Sequence, residues 1–352
     1  MTETADILAA TCPLPVRDRQ QIVLGHGSGG KLTAELIESV FLPAFRNDVL
    51  AKMEDQAVLE IGGARLAFTT DSFVVTPLFF PGGDIGRLAV HGTVNDLAMS
   101  GARPLYLAAT FILEEGLPID ELQRVVASMR DAAQEAGVLL VAGDTKVVDK
   151  GKADRLFITT TGIGVLEDGI RISASGARPG DAIILSGTIG DHGIAVLSQR
   201  ESLEFEGAVA SDTAPLHDLV ATMLRASKDV HCLRDPTRGG VATTLNELAA
   251  QSNAGMLIDE DAIPVKDTVK GACELLGLDP LYVANEGKLV AIVAPEAAET
   301  IVRAMQAHSY GRDARIIGKV TAEHSKMVLM KTAVGGTRVV DVLFGEQLPR
   351  IC

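Results

Sequence analysis

Apolar positions along this chain recur in two rhythms. Short Val/Ile/Leu-rich runs are bounded by Gly, Pro or Asp, and longer stretches carry apolar residues three and four apart. The first rhythm predicts strands at RLAFTTD, LYLAATFIL, VLLVAGD and RLFITTTGIGVL, then at AIILSG, KLVAIVA, ARIIGKV and TRVVDVLF. The second predicts helices at PLHDLVATMLRAS, GGVATTLNELAAQ and PEAAETIVRAMQAH, and one that places Leu122, Val125, Val126, Met129 and Ala133 on a single face. IGRLAVHGTVNDLAMSG is apolar nearly all round and closed by Gly101 and Pro104, so it is expected to be a buried helix. VLLVAGD reads as a buried strand. SASGARPGD has the Gly/Pro/Ser character of a boundary, after which AIILSG and the glycine turn GTIGDHG begin a second unit. GEQLPRIC has neither period and reads as an extended, mobile tail that could reach on the order of 25 Å at ~3.3 Å per residue.

The pattern predicts an α/β chain of two domains. We expect an arm and glycine-rich loop over 1–45, a first domain over 46–170, a second over 171–335 and a tail over 336–352. Composition then excludes several classes. No apolar run approaches the ~20 residues of a membrane span, and the first residues lack a basic stretch followed by an apolar one, so a cytoplasmic location is expected. The net charge of −14, with no Trp and no basic block, argues against nucleic acid. Cys12, Cys232, Cys273 and Cys352 form no paired motif, which disfavours a zinc site or a disulfide framework. Cys352 stands last, where it can fill no core, and prenylation would require three residues beyond it. Its purpose is expected to be chemical.

The loop HGSGGK, holding Gly27, Ser28, Gly29, Gly30 and Lys31, can bring backbone N–H groups to an anion, although any glycine turn before a helix looks similar. Asp55, Asp71, Asp96, Asp144 and Asp235 fall where apolar elements stop or where no charge belongs. Asp96 is the sharpest case, because a carboxylate in a buried helix needs a cation or several hydrogen bonds. Each Asp alone could be a cap or a turn former. Together they suit Mg²⁺, which takes oxygen ligands and completes its shell with water and phosphate. Lys146 follows Asp144 in GDTK, and Glu286 precedes a strand in NEGK; both could equally be solvated or paired with each other. In RDPTRGG, Thr237 or Gly239 can begin a helix while Arg238 adds charge, a second candidate phosphate end.

HGSGGK, FTTDSF, TVNDLAMSGA, FILEEGLP, VAGDTKVV, GTIGDHG, RDPTRGGV, CELLGLDPL, ANEGKL and PRIC together resemble the HypE family of hydrogenase maturation proteins, from about residue 22 to residue 352. That family belongs to an ATP-binding superfamily with aminoimidazole ribonucleotide synthetase, thiamine monophosphate kinase and selenophosphate synthetase. The resemblance implies a two-domain α/β fold of the aminoimidazole ribonucleotide synthetase type, a flexible tail, and a homodimer formed through strands of the N-terminal domains. It implies ATP and Mg²⁺ near the seam. Asp55, Asp71, Asp96 and Asp235 would serve the metal, and Gly27, Ser28, Gly29, Gly30, Lys31, Asp71, Asn95, Asp144, Thr145 and Arg238 the nucleotide. Cys352, Glu286 and Lys146 would be catalytic. The implied reaction dehydrates a carboxamide, placed on the terminal thiol by the carbamoyltransferase HypF, to a thiocyanate whose cyanide passes to iron on a HypC–HypD scaffold. Arg350 or the partner would favour the thiolate. About twenty residues precede the usual start, among them Cys12, and read as a flexible arm; roles for Asp191 and His192 stay open. Two rivals remain, a superfamily kinase or synthetase of free small molecules and a non-catalytic nucleotide-binding scaffold. A selenophosphate synthetase would carry a reactive Cys or selenocysteine just upstream of the glycine loop, and IVLGHGSGG has none.

Overall fold

The computed structural model describes residues 21–203, 207–344, 348 and 350–352. The arm with Cys12 and the tail proline, Pro349, lie outside the described residues.

After the glycine loop, α1 (Lys31–Leu36) passes through a π-helical turn into α2 (Leu42–Phe45). The first sheet contains β1 (Ala57–Ile61) and β2 (Ala64–Phe73). A short ribbon, β3 (Phe79–Phe80) and β4 (Gly83–Asp84), precedes α3 (Ile85–Met99). β5 (Arg103–Glu114), α4 (Ile119–Glu135), β6 (Leu139–Val148) and β7 (Leu156–Val165) complete the unit. Strand order is β1-β2-β7-β5-β6, antiparallel except between β5 and β6.

The Asp84 carboxylate caps α3 by accepting from the N–H groups of Gly86 and Arg87. Every α3 residue except Arg87 and Asp96 is buried, as its all-round apolar pattern predicts. One side of α3 packs on β2 and β7; its end, at Ala98 and Met99, enters the core of the second unit. Gly92 makes the approach to β2 possible, since a Cβ there would lie 2.8 Å from the Phe73 ring.

The second unit comprises β8 (Ala182–Leu185), α5 (Asp191–Arg200), α6 (His217–Ala226), β9 (Val230–Arg234), α7 (Gly240–Ser252), β10 (Gly255–Asp259), α8 (Asp267–Leu276), β11 (Val290–Val293), α9 (Pro295–Gln306), β12 (Arg315–Thr321), β13 (Val328–Lys331) and β14 (Thr337–Val340). Its sheet order is β14-β13-β10-β12-β8-β11-β9. The period of two along β8 divides the core: Ile183 and Leu185 join the cluster under α7, and Ile184 joins the one under α6 and α9.

Two expectations need correction. VLLVAGD is an outer strand, not a buried one, and β6 is exposed along nearly its whole length. Val126 shares the α4 face only in part and is half exposed. The boundary segment SASGARPGD is anchored, since the Ser173 hydroxyl and the Ala174 N–H both donate to the Glu54 carboxylate. Among the described residues no helix is long and apolar enough to cross a membrane.

Candidate active site

Cys352 lies against two adjoining cavities that share it with Arg238 and Thr243. The first, of roughly 330 Å³, is lined by Gly27, Ser28 and Gly30 of the glycine loop together with Leu348, Arg350 and Ile351 of the tail. The second, of roughly 260 Å³, gathers Asp55, Asp71, Asp96, Asp235 and Glu286. These acids come from separate elements: Asp55 precedes β1, Asp71 lies near the end of β2, Asp96 on α3, Asp235 just after β9, and Glu286 in the loop before β11.

Burial and mutual repulsion govern their titration. Desolvation comes first at Asp96 and pushes its carboxyl well above the usual range, with Asp235, Asp71 and Asp55 adding to it. The same order of causes, burial and then Asp55, raises Asp235 to about 7. Asp71 is raised by burial and partly restored by Arg238. Burial also raises Asp55, opposed by Arg234, which pairs with it at 2.9 Å and with Glu247 at 3.0 Å. The Thr69 hydroxyl lies 2.9 Å from the Asp96 carboxylate. Glu286 is driven well up by burial and by Asp235, Asp212 and Asp71, and its Oε1 has no hydrogen-bond partner.

Among the described residues no three His, Cys, Asp or Glu side chains stand close enough together to cage a metal ion. The donor set nevertheless fits Mg²⁺. Hard oxygen ligands converge on one cavity, Arg234 and Arg238 relieve their repulsion only in part, and this cation uses few carboxylates and completes its shell with water and phosphate.

The glycine loop approaches closely from the other side. Gly29 has φ +77°, and a Cβ on it would meet the Arg238 backbone oxygen at 3.0 Å. Arg238 braces the loop by donating to the Gly27 carbonyl at 3.1 Å. Lys31 does not enter either cavity; its ammonium pairs with Asp341 at 2.8 Å. Asn95 likewise lines neither cavity. Its amide donates to the carbonyls of Ala214 and Glu286 and accepts from Leu216 N–H, which joins α3 to the second unit and orients the Glu286 backbone. Asp144, Thr145 and Lys146 sit on exposed β6, where Lys146 pairs with Asp144 at 2.5 Å, so one chain does not bring Lys146 to Glu286.

The end of the tail, expected to be mobile, is docked. Val74 N–H donates to the Cys352 carbonyl at 3.0 Å and Thr76 N–H to that of Arg350 at 3.3 Å. Buried His192 donates from Nε2 to the Ile351 carbonyl at 2.8 Å, which fixes its tautomer and leaves Nδ1 to accept from Ser211 at 2.8 Å. Arg200 donates to the carbonyls of Thr76 (2.7 Å) and Arg350 (2.6 Å), and the Arg350 side chain pairs with Asp154. Burial and then Glu286 push the Cys352 thiol well up, with Arg238 in opposition. The cation near the sulfur is therefore Arg238; Arg350 is committed to Asp154. His192, Arg200, Arg234 and Glu247 are site residues that spacing did not reveal. The adjacency of Arg234 to Asp235 and the glycine turn GTIGDHG that carries His192 were the signals in the sequence.

Residues 53–166 match the N-terminal domain model of AIR synthase related proteins and residues 178–331 the C-terminal one. The carbamoyl dehydratase HypE of Cupriavidus necator is 60% identical over 341 residues, 97% of each chain. A structure of the hydrogenase maturation protein HypE in complex with ATP superposes with a TM-score of 0.80 at 52% identity, over 94% of this chain and 100% of that one. A HypE–HypF complex gives 0.84 at 52% identity, over 88% and 99%. By identity and coverage alike, the chain belongs to the HypE family of carbamoyl dehydratases.

Proposed function

We propose that this chain dehydrates a carboxamide carried on the Cys352 sulfur to a thiocyanate at the expense of ATP, supplying cyanide for the iron of NiFe-hydrogenase. The observation that carries the reading is the placement of Cys352 in one cavity with Glu286, Arg238 and the Asp cluster. A free-substrate kinase would have no use for a docked tail filling this space.

The chemistry follows from the leaving group. Direct loss of water from S–C(=O)–NH₂ would expel hydroxide. Attack of the amide oxygen on the γ-phosphorus breaks the bond to ADP and makes that oxygen part of a phosphate ester. Removal of the two nitrogen protons and cleavage of the C–O bond then leave S–C≡N and inorganic phosphate. Glu286 is the base we assign, being the buried carboxyl that faces Cys352. Its raised affinity for protons in the ligand-free chain comes first from burial and then from Asp235, Asp212 and Asp71, so neutralising Asp235 and Asp71 removes only part of it and lowers Glu286 towards a working base. Asp55, Asp71, Asp96 and Asp235 would hold Mg²⁺, whose charge offsets the triphosphate. Asp55 contributes least, since Arg234 already claims it. Gly27 to Gly30 and Arg238 are the phosphate contacts we assign.

The thiol must leave the pocket to be loaded. A buried sulfur with a raised pKa is a poor acceptor, so we place carboxamide transfer from HypF on the undocked tail, and cyanide transfer to HypC–HypD likewise. We further infer a cytoplasmic homodimer. Leu139, Val141 and Val147 on edge strand β6 are 63%, 61% and 66% exposed, and Phe68, Tyr106 and Ile163 continue an apolar surface on the same sheet. Pairing there would carry Asp144, Thr145 and Lys146 towards the partner's cavity. Intact-protein mass spectrometry tests the reaction: with HypF, carbamoyl phosphate and ATP, a carboxamide adduct on Cys352 should lose one water, and it should persist when ATP is withheld. Loss of water in a Cys352→Ala chain would overturn the reading.

A further inference from the structure

The docked tail is held mainly through its backbone. The carbonyls of Arg350, Ile351 and Cys352 accept from four donors: Thr76 N–H, Arg200, His192 Nε2 and Val74 N–H. The two bonds pair Val74 with Cys352 and Thr76 with Arg350 in antiparallel sense, just beyond the end of β2, but Arg350 has φ +50° and the tail forms no regular strand. Among the described tail side chains Ile351 is the most deeply enclosed, with Leu348 and Cys352 packed part-buried beside it. Ile351 is 3% exposed and joins the core cluster that contains Val75, Val196 and Ala284. The Arg350 side chain lies at the surface against Asp154. None of these contacts requires that the peptide be continuous with residue 344.

We propose that the groove between residues 74–76 and α5 is a receptor for a short peptide ending in an aliphatic residue and cysteine, able to take that peptide in trans, with Ile351 as the specificity-determining side chain. The dehydration step on such a peptide rests on the function proposed above; the binding does not. In the intact chain, linkage gives the tail a high effective concentration, which explains how a groove of few contacts stays filled and how the tail can still be released to partners.

The test uses the full chain with Ile351→Asp, which puts a carboxylate where an apolar side chain is buried and so vacates the groove. A fluorescein-labelled LPRIC peptide is titrated without ATP and followed by anisotropy. Saturable binding is expected, with an LPRDC peptide weaker by roughly 10- to 100-fold, the scale set by burying one aliphatic side chain. A chain ending at residue 347 lacks the tail contacts altogether and gives a second vacated chain should the core variant not fold. Adding Arg200→Ala to either chain should weaken the peptide further. No saturable binding to a folded variant, or equal binding of LPRIC and LPRDC, would overturn the proposal. The S-carbamoylated peptide with Mg-ATP should then lose one water on the vacated chain. Water loss by the wild-type chain on its own Cys352 separates the two readings, because it can succeed where the peptide fails.

Discussion

Replacing Asp235 with Asn should stabilise the ligand-free fold above neutral pH while removing the extra stability that Mg²⁺ confers. The sign follows from where the proton resides. Asp235 is raised from 3.8 to about 7 in the fold, first by burial and then by Asp55. As pH rises from about 4, the unfolded chain gives up this proton while the folded chain retains it. The associated stability is therefore complete below the unfolded pKa, falls through the interval, and is fully lost above about 7. An interval of about three pH units at 1.36 kcal/mol each gives roughly 4 kcal/mol as an upper figure, since Asp235 titrates together with its neighbours. For a chain of this length that is a melting shift on the order of 5 °C.

Scanning calorimetry at about pH 5 and about pH 8, with and without Mg²⁺, reads the effect on either side of that interval. Wild-type protein should lose stability between the two conditions and regain part of it with Mg²⁺ at the higher one. The Asp235→Asn chain should start higher at about pH 8 and respond little to the metal. A variant that melts below wild type at about pH 8 without Mg²⁺, or gains as much from the metal, would refute the claim that burial and carboxylate crowding destabilise the ionised Asp235 in this cavity.

Glu286→Gln should leave carboxamide loading intact but slow water loss by ~10²–10⁴-fold, measured as the lifetime of the adduct by mass spectrometry. Arg238→Ala should weaken ATP binding by calorimetric titration roughly tenfold or more, since it removes both a buried cation and the brace on the Gly27 carbonyl. His192→Ala should speed alkylation of Cys352 by iodoacetamide, because losing the Ile351 contact frees a thiol whose burial keeps it protonated. Leu139→Asp together with Val141→Asp should give a monomer by light scattering that melts normally and no longer dehydrates its adduct.

How much of the site could be read along the chain depends on what each residue touches. Asp96 was legible because one carboxylate in a helix otherwise buried on nearly every side has no structural excuse, and the cavity accounts for it. Lys31 and Asn95 looked equally chemical, yet an ion pair with Asp341 and a bridge from α3 to Ala214, Leu216 and Glu286 occupy them; both partners are remote in sequence. His192, whose role stayed open, and Arg200 could not be tied to the tail from the sequence. They bind carbonyl groups of a tail some 150 residues away, and a backbone carbonyl leaves no mark in the identity of the residue that bears it. β6 shows the converse. Its apolar run reads as buried, and within one chain it is exposed. Apolar patterning reports burial in the assembled state, not in the isolated chain, so this mismatch is itself an argument for a second copy. Under the pairing proposed above, Lys146, which lies on exposed β6 beside Asp144, would face the neighbour's cavity rather than its own.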